Sequence, residues 1–355
     1  MNQSYDAILF VSFGGPEGIE DVMPFLENVL RGKNVPEARM REVAHHYELF
    51  DGISPINEQN RLLIAELGKL LEREGPSLPI YWGNRNWHPM LADTLRRMKT
   101  DGIKRALAFM TSAYSSYSGC RQYRENIVRA QAEASAEDLQ IDKLRVFYNH
   151  PLFVETNTEN LRAALDRIPA ERRDRAHVAF TAHSIPLAMA TNCDYEIQLK
   201  ETCRLVAESA QVENWKLVYQ SRSGLPTQAW LEPDICDHLR KLKATGAQDA
   251  VIAPIGFISD HMEVLYDLDT EARSLCEELN LNMVRTQTAG THPKFVRMIR
   301  ELILERINPE TTTRRALGAR GANHDVCPAD CCLPGAMRPA AAIASATPEL
   351  APAER

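Results

Sequence analysis

Short apolar runs alternate with amphipathic stretches along residues 1–308 of the chain. The apolar runs have the length of β-strands: Ala7 to Phe13, Leu78 to Trp82, Ala106 to Met110, Leu144 to Tyr148, His177 to Thr181, Lys216 to Tyr219, Ala250 to Ile255 and Leu281 to Val284. The intervening stretches have apolar residues at helical spacing: Glu58 to Glu74, Pro89 to Lys99, Val154 to Ile168, Tyr195 to Ala210, Asp234 to Lys243 and Met262 to Leu279. This alternation predicts an α/β, doubly wound architecture with parallel sheets and helices on both faces.

The order of strands and loops predicts two such units. The segments LFVSFGGP, YWGNRN and AFMTSAYSS of the first half have counterparts VAFTAHSIP, LVYQSRSG and VIAPIGFISD in the second, without an identical repeat. We therefore expect one domain over residues 1–150 and another over residues 151–308. Polar and glycine-rich residues follow the strand ends in both halves, and open α/β sheets bind ligands there. A cleft between the halves is the expected site.

The periodic pattern stops after about Asn308. Residues 309–355 contain no aromatic side chain and are rich in Ala, Pro and Gly, which predicts an irregular, partly disordered tail that is ordered only where contacts hold it. Three of the eight cysteines, Cys327, Cys331 and Cys332, lie within six residues of this tail. Clustered exposed thiols indicate metal binding, and zinc and a [2Fe–2S] cluster both use four, mainly thiolate, ligands.

Composition and charge narrow the class of protein. The 355 residues include 41 Lys and Arg against 48 Asp and Glu, a net charge of −7 that argues against nucleic-acid binding. No stretch approaches the roughly 20 apolar residues of a membrane span, and the N-terminal run lacks the basic residues of a signal peptide. We expect a cytoplasmic protein without an integral membrane segment. The turn FGGP lacks G-x-G-x-x-G spacing, so no nucleotide cofactor is expected.

Two features could form a metal site in the cleft. His183 follows an apolar strand in FTAHSIP and could serve as metal ligand or base, although a structural histidine at such a turn is about equally common. Glu263, Asp267 and Glu271 recur at i, i+4 and i+8, so a helix would align them in one acidic stripe with steps of about 6 Å. An ordinary solvated face is the alternative. An imidazole and a carboxylate that converge would suit Fe(II), and the stripe would carry metal or protons.

Two further loops carry polar residues. In DGISPIN, Ser54 or Asn57 could cap the following helix. The loop TSAYSSYSGCRQY follows the strand that ends at Met110 and is too polar for a protein core. It suits a flat aromatic ligand that bears carboxylates.

Together the segments SFGGP, GISPIN, YWGNRNWHP, FTAHSIP, YQSRSG, WLEPD and PIGFISDHMEVLYDLDTE closely resemble the ferrochelatases, from about Tyr5 to Ile307. The resemblance implies a chelatase-like fold of two Rossmann-like domains around a porphyrin cleft. It also implies insertion of Fe(II) into a porphyrin in heme biosynthesis. His183 and Glu263 match the family's catalytic metal ligands, and His183 would also accept a pyrrole proton. Asp267 and Glu271 match its metal or proton path.

The short cleft mouth, the loop rich in Tyr and Ser, and the absence of an apolar lip resemble the bacterial forms that convert coproporphyrin III to coproheme. Protoporphyrin IX, with protoheme as product, is the alternative substrate. In the coproporphyrin forms, Ser54, Tyr123 and Arg31 match positions that contact the porphyrin. Glu17 stands where some relatives have a tyrosine over the iron, so the resemblance leaves the axial ligand of the product open. The chain would act as a monomer or homodimer.

Some ferrochelatases hold a [2Fe–2S] cluster through C-terminal cysteines and one cysteine of the folded body, and this tail resembles that arrangement. The spacing C-x3-C-C differs from the animal type, whose body cysteine falls on Thr156 here. We expect a cluster on the three tail cysteines with Cys120 or Cys193 as the fourth ligand. The rival interpretations are a non-catalytic heme or porphyrin carrier, and a chelatase for another tetrapyrrole such as sirohydrochlorin.

Overall fold

The chain forms two four-stranded parallel sheets in a computed structural model that describes residues 4–32, 35–223 and 227–335. The first sheet consists of β1 (Ala7–Ser12), β2 (Ile80–Asn84), β3 (Arg105–Met110) and β4 (Gln140–Lys143), and the second of β5 (His177–His183), β6 (Trp215–Gln220), β7 (Asp249–Ala253) and β8 (Asn282–Arg285). The strand orders are β2-β1-β3-β4 and β6-β5-β7-β8. The α/β doubly wound architecture is confirmed, and the two halves share one strand order.

Thirteen α-helices connect these strands in the described parts of the chain. They are α1 (Ile19–Leu30), α2 (Glu37–Glu48), α3 (Ile56–Glu74), α4 (Leu91–Thr100), α5 (Gln122–Glu133), α6 (Pro151–Leu165), α7 (Ala170–Arg173), α8 (Leu187–Ala190), α9 (Tyr195–Ala210), α10 (Ile235–Ala244), α11 (Met262–Val264), α12 (Arg273–Glu278) and α13 (Pro293–Ile307). Two π-helical segments, Tyr117–Arg121 and Leu265–Ala272, precede α5 and join α11 to α12. Such segments occur frequently at functional sites.

The central strands β1 and β5 are buried on both faces, as their apolar runs indicate. Alternate side chains of a strand point to opposite faces, and Phe10 of β1 packs into a core that it shares with Phe180 of β5, whereas Leu9 packs against α4 and α5. Phe295 of α13 lies in the same shared core, and α13 packs against α3 of the first half. The two sheets therefore enclose one continuous core, and the division near residue 150 stays a prediction.

Two elements differ from the expected pattern. The run Leu144 to Tyr148 is buried but is not a strand, because β4 ends at Lys143 and the chain then leaves the sheet edge. Its apolar side chains pack in the shared core without a pairing strand. The helix expected from Met262 to Leu279 contains a π-helical segment in its middle.

The tail is irregular, as expected, but its described part is held against the body. The backbone N–H of Leu317 donates to the carbonyl oxygen of Asn149 at 2.9 Å, and the Asn149 side chain donates to the carbonyl oxygens of Leu317 and Gly321. Arg145, buried against Glu305, donates to the Arg315 carbonyl oxygen. The remainder of the tail, residues 336–355, lies outside the described residues.

Candidate active site

His183 and Glu263 face each other at the carboxyl-terminal edge of the second sheet. His183 is the last residue of β5, and Glu263 is in α11, which follows the neighbouring strand β7. The strand order reverses between β5 and β7, which is the usual ligand position in open α/β sheets. His183 Nε2 lies 3.5 Å from Glu263 Oε1, and the two side chains are 31% and 47% exposed. A ligand can therefore reach both groups.

The backbone and the carboxylate together orient the His183 ring. Its Nδ1 lies against the carbonyl oxygen of Ser184, so Nδ1 carries a proton and Nε2 faces Glu263. Burial opposes charge on the imidazole, but Glu263 outweighs it and raises the pKa of His183 to about 9. Burial also disfavours the Glu263 carboxylate, yet the charge of His183 lowers the pKa of Glu263 to about 2. A divalent cation that binds here replaces the proton on Nε2.

The acidic stripe continues from Glu263 along the π-helical segment. Asp267 accepts hydrogen bonds from the Ser221 hydroxyl and from Gln220 Nε2 (3.3 Å), and Gln220 Nε2 also donates to the carbonyl oxygen of Glu263 at 2.9 Å. Burial is the main reason that the pKa of Asp267 rises to about 7, and the charges of Glu263 and Glu271 raise it further. Burial also raises the pKa of Glu271. Asp267 is partly buried, whereas Glu263 and Glu271 are exposed, so the stripe combines one carboxylate of near-neutral pKa with two that solvent reaches.

The loop before α11 is held by residues from both halves. The backbone N–H of Asp260 donates to Gln59 Oε1 of α3 at 2.8 Å. Arg285, at the end of β8, donates to Asp260 Oδ1 at 3.1 Å and to Asp269 Oδ1 at 2.8 Å. His261, which sequence reasoning missed, places Nδ1 4.0 Å from Glu263 Oε2. Its only signal in the sequence is its position beside Glu263.

Ser54 and Asn57 do not cap α3, contrary to expectation. The N-cap residue is Pro55, without a side-chain hydrogen bond. The backbone of Ser54 bonds to Pro16, and Asn57 Nδ2 donates to the Gly15 carbonyl oxygen at 3.1 Å. A Cβ atom on Gly15 would lie 2.7 Å from Ser54 Cβ, so only glycine lets the turn after β1 approach this closely. The two polar residues fix the glycine turn rather than the helix end.

Tyr123 is buried, with 5% of its surface exposed. The Arg85 guanidinium lies 4.3 Å from the centre of the Tyr123 ring and 5.5 Å from that of Phe13, and its Nε donates to Asn126 Oδ1 at 2.6 Å. Phe13, at the end of β1, is 36% exposed. Sequence reasoning missed Phe13 and Arg85, although each directly follows a strand of the first sheet, and this position was the available signal.

Arg31 and Glu17 lie near the α1 helix. Arg31 follows α1 directly, is exposed, and contacts the Asn28 side chain, which in turn donates to the Asn86 carbonyl oxygen at 3.2 Å. Glu17 precedes α1 and pairs with Arg61 of α3. The carboxylate of Glu17 is therefore neutralised by a cation of this chain.

The comparisons with known proteins agree with this geometry. The family model described as Ferrochelatase matches residues 5–307. The chain belongs to the ferrochelatase family. A protein named ferrochelatase from Rhodopirellula baltica is 57% identical, over 94% of this chain and 95% of that protein. A coproporphyrin III ferrochelatase from Streptomyces coelicolor is 52% identical, over 95% of this chain and 96% of that protein.

Solved structures support the fold. SirB from Bacillus subtilis, determined with Fe3+, aligns with a TM-score of 0.53 and 13% identity, over 85% of this chain and 97% of that chain. At this identity the likeness concerns the chelatase fold alone. Each helix in the described parts of this ferrochelatase-family chain is too short or too polar to span a lipid bilayer.

The tail cysteines meet Cys120 of the folded body. Cys120 and Cys331 both neighbour Cys327, the sulfurs of Cys327 and Cys331 lie within 4.8 Å of each other, and those of Cys331 and Cys332 are 3.5 Å apart. Cys120 belongs to the π-helical segment before α5, and the neighbouring Arg121 donates to the carbonyl oxygens of Ala329 (2.7 Å) and Cys331 (3.1 Å). We call these four cysteines the thiol site. No disulfide bond joins any of the four in the described parts of the chain.

The thiol site has the donors and spacing of a metal–sulfur centre. Two thiolates on one tetrahedral metal lie about 3.8 Å apart when each bond is about 2.3 Å, close to the separation of Cys331 and Cys332. His324 is also near, with Nε2 4.0 Å from the Cys331 sulfur. Cys193 instead directs its thiol to the carbonyl oxygen of Met189 at 3.4 Å. The residues present fit a four-thiolate group.

Proposed function

We propose that this chain is a ferrochelatase that inserts Fe(II) into coproporphyrin III, giving coproheme in heme biosynthesis. The observation that carries the proposal is the approach of His183 Nε2 and Glu263 Oε1 to 3.5 Å at the strand-order reversal of the second sheet. The family match over residues 5–307 and the names of the relatives support the reaction.

His183 and Glu263 would act together on the metal and on the pyrrole protons. The Ser184 carbonyl oxygen holds the ring in place, and once Nε2 has lost its proton its lone pair can meet the incoming ferrous ion or a pyrrole N–H. The Glu263 carboxylate offers a second oxygen ligand of the type that Fe(II) accepts. Holding both groups on one axis lowers the barrier by positioning. Asp267 and Glu271 continue from Glu263 and would pass metal or protons along the π-helical segment.

The porphyrin would lie between the two sheets, across the ends of β1 and β5. We propose that Ser54, Tyr123 and Arg31 contact it, and the exposed ring of Phe13 offers a flat apolar surface beside them. Since Tyr123 is 5% exposed, only its edge could meet a ligand. Among the described residues the exposed Arg31 contacts the neutral Asn28 side chain, so its positive charge could pair with a porphyrin propionate.

An anaerobic assay of Fe(II) insertion, with coproporphyrin III and protoporphyrin IX side by side, tests the proposal. We expect faster turnover of coproporphyrin III. His183→Ala and Glu263→Gln should each reduce turnover by about 100-fold or more, while porphyrin affinity, followed by fluorescence quenching, changes little. His45→Ala, on the exposed face of α2, is the matched control and should retain full activity.

Each alternative function has its own outcome in that assay. Preference for protoporphyrin IX would overturn the substrate assignment but leave the reaction class intact. A chain that binds porphyrin with no insertion of iron would be a carrier, and unchanged turnover of His183→Ala would remove His183 from the mechanism.

We also propose that the thiol site holds a [2Fe–2S] cluster through Cys120, Cys327, Cys331 and Cys332. The proximity of Cys120 to Cys327 supports Cys120 over Cys193 as the fourth ligand. Bound there, the cluster would supply a one-electron redox centre. Anaerobically purified protein should contain iron and acid-labile sulfide, and should be reddish brown.

Substitution separates the cluster from zinc. Cys120→Ser should lower the sulfide content and the visible absorbance strongly, whereas Cys193→Ser should change neither. A colourless protein with stoichiometric zinc would instead indicate a site of His324, Cys327 and Cys331, which lie within 4.8 Å of one another.

A further inference from the structure

Arg124 lies one helical turn after Cys120, and its guanidinium is partly buried. The π-helical segment continues directly into α5, so residues four apart lie on the same side of the helix. Nε and Nη2 of Arg124 are both buried, and neither has a hydrogen-bond partner among the described residues. A guanidinium cannot lose its charge in a protein, and a buried charge without a partner is costly. Something anionic is therefore expected next to it.

The thiol site is the group that Arg124 faces. Hydrogen bonds from Cys120 and Cys331 lower the pKa of the Cys327 thiol most, and the charges of Lys143 and Arg124 lower it further. The charge of Arg124 also reaches Cys332. Arg124 is therefore close enough to act electrostatically on two of the four sulfurs.

Other charged groups around the thiol site are mainly cationic. Lys143 lies 3.5 Å from the carbonyl oxygen of His324, and Arg121 binds two tail carbonyl oxygens. Arg121 is paired with Glu125, and Asp194 acts on Cys332 with the opposite sign to Arg124. Arg124 differs from Arg121 because two of its buried nitrogens have no acceptor in the part of the chain that the structure describes.

We propose that Arg124 is the buried counter-charge of the metal–sulfur group at the thiol site and raises its reduction potential. The inference rests on the [2Fe–2S] cluster proposed above. Such a cluster with four thiolate ligands is anionic and gains a further negative charge when it takes up one electron. A fixed positive charge therefore stabilises the reduced form more than the oxidised form.

Removal of this charge should favour the oxidised cluster. We expect Arg124→Gln to shift the one-electron equilibrium about tenfold toward the oxidised form, which corresponds to a potential about 59 mV lower. Arg124→Lys keeps the positive charge, so its reduction potential should lie close to that of the wild-type protein. Arg129→Gln removes an exposed cation from the same helix and should leave the potential unchanged, since solvent screens charge at the surface.

The experiment is an anaerobic dithionite titration of the full-length protein, with the reduced cluster followed by its electron paramagnetic resonance signal. The iron and sulfide content of each variant is measured in parallel. Circular dichroism reports whether each variant is folded. None of these readouts depends on porphyrin turnover.

The outcomes separate this inference from the cluster itself. Full cluster content with the wild-type potential in Arg124→Gln overturns the role of Arg124 alone. Wild-type protein without iron and sulfide overturns the cluster and this role together. Arg124→Gln could also fold without holding a cluster. In that case, a cluster retained in Arg124→Lys supports the need for the positive charge, and a cluster lost from both variants contradicts that need.

Discussion

Glu263 and Asp267 show how the same chemical group acquires opposite properties four residues apart. Burial acts to raise the pKa of both carboxyl groups, but their neighbours differ. Glu263 faces the His183 imidazole, which lowers its pKa to about 2, whereas Asp267 lies between two other carboxylates and has a pKa of about 7. Glu263 is therefore ionised under ordinary conditions and suits metal binding, while Asp267 is poised to exchange protons.

Ser221 should set the pH dependence of the acidic stripe. Its hydroxyl donates to Asp267 and stabilises the carboxylate, so Ser221→Ala should raise the pKa of Asp267 further. If deprotonated Asp267 accepts protons during turnover, the acidic limb of the kcat/KM profile moves to higher pH, by about half to one unit. Ser223→Ala, in the same loop and exposed, is the control. An unmoved limb would exclude Asp267 as the titrating group.

His238 should make the fold sensitive to acid. It is 5% exposed, its Nε2 has no hydrogen-bond partner among the described residues, and its ring centre lies 5.7 Å from that of His177. Burial, followed by repulsion from His177 and two lysines, lowers the pKa of His238 to about 4. The unfolded chain, with an ordinary histidine pKa of about 6.5, then binds more protons than the folded one as the pH falls from about 6.5 to 4.

This imbalance predicts a loss of stability in acid. The contribution of His238 to the free energy of unfolding should fall by about 2 kcal/mol between pH 7 and pH 5. His238→Gln cannot take up the proton, so its stability should depend less on pH in this window. Urea unfolding at the two pH values measures the free energy of unfolding of both proteins. An equal change of this free energy with pH in the wild-type protein and in His238→Gln would argue against the role of His238.

At the scale of elements, α1 and α2 form a hairpin with a small core of its own. Phe25, 2% exposed, packs against the rings of Tyr47 and Trp87. Outside this core, the His46 ring of α2 stacks on Tyr266 of the π-helical segment at 3.7 Å. The hairpin of the first half thus reaches the element that carries the acidic stripe.

The small core predicts local rather than global unfolding when it is weakened. Phe25→Ala removes its central ring and should destabilise the hairpin by about 3–5 kcal/mol. Hydrogen exchange should then become faster in α1 and α2 and stay unchanged in β1 and β5. Leu49→Ala, at an exposed position after α2, should leave exchange as it is. Faster exchange throughout the chain would show that the hairpin is not an independent unit.

At the scale of the whole molecule, the two sheets are joined by buried hydrogen bonds as well as by their shared core. Gln198 of α9 is 2% exposed, accepts from the Ser115 backbone N–H at 2.7 Å and donates to the Ser115 hydroxyl at 3.0 Å. Tyr114, fully enclosed, donates to the Ile255 carbonyl oxygen at 2.8 Å. These contacts fix the distance between the strand ends that flank the cleft.

Gln198→Ala should weaken both halves together. It leaves the buried N–H of Ser115 without a partner, at a cost of about 1–3 kcal/mol. Because the core is continuous, guanidinium unfolding followed by tryptophan fluorescence and by circular dichroism should give coincident transitions at a lower midpoint. Two separated transitions would mean that the halves unfold independently.

The strand and helix pattern determined much of the architecture, because buried parallel strands require apolar runs whatever their neighbours are. The positions of His183 at the carboxyl end of β5 and of Glu263 in the first helix after β7 also followed from the chain, since both lie at or beyond the carboxyl ends of predicted strands. The buried run after Lys143 shows the limit of this reasoning: apolar residues record burial, and only the packed sheet decides whether their backbone pairs.

Only the tertiary structure decided which distant groups meet. It placed Cys120 rather than Cys193 beside Cys327, and assigned Ser54 and Asn57 to a glycine turn rather than a helix cap. It also brought Arg85 over Tyr123, because β2 and β3 flank β1 in the folded sheet. Such pairings depend on how strands far apart in the chain are ordered, and the local pattern of apolar and polar residues carries no record of that order.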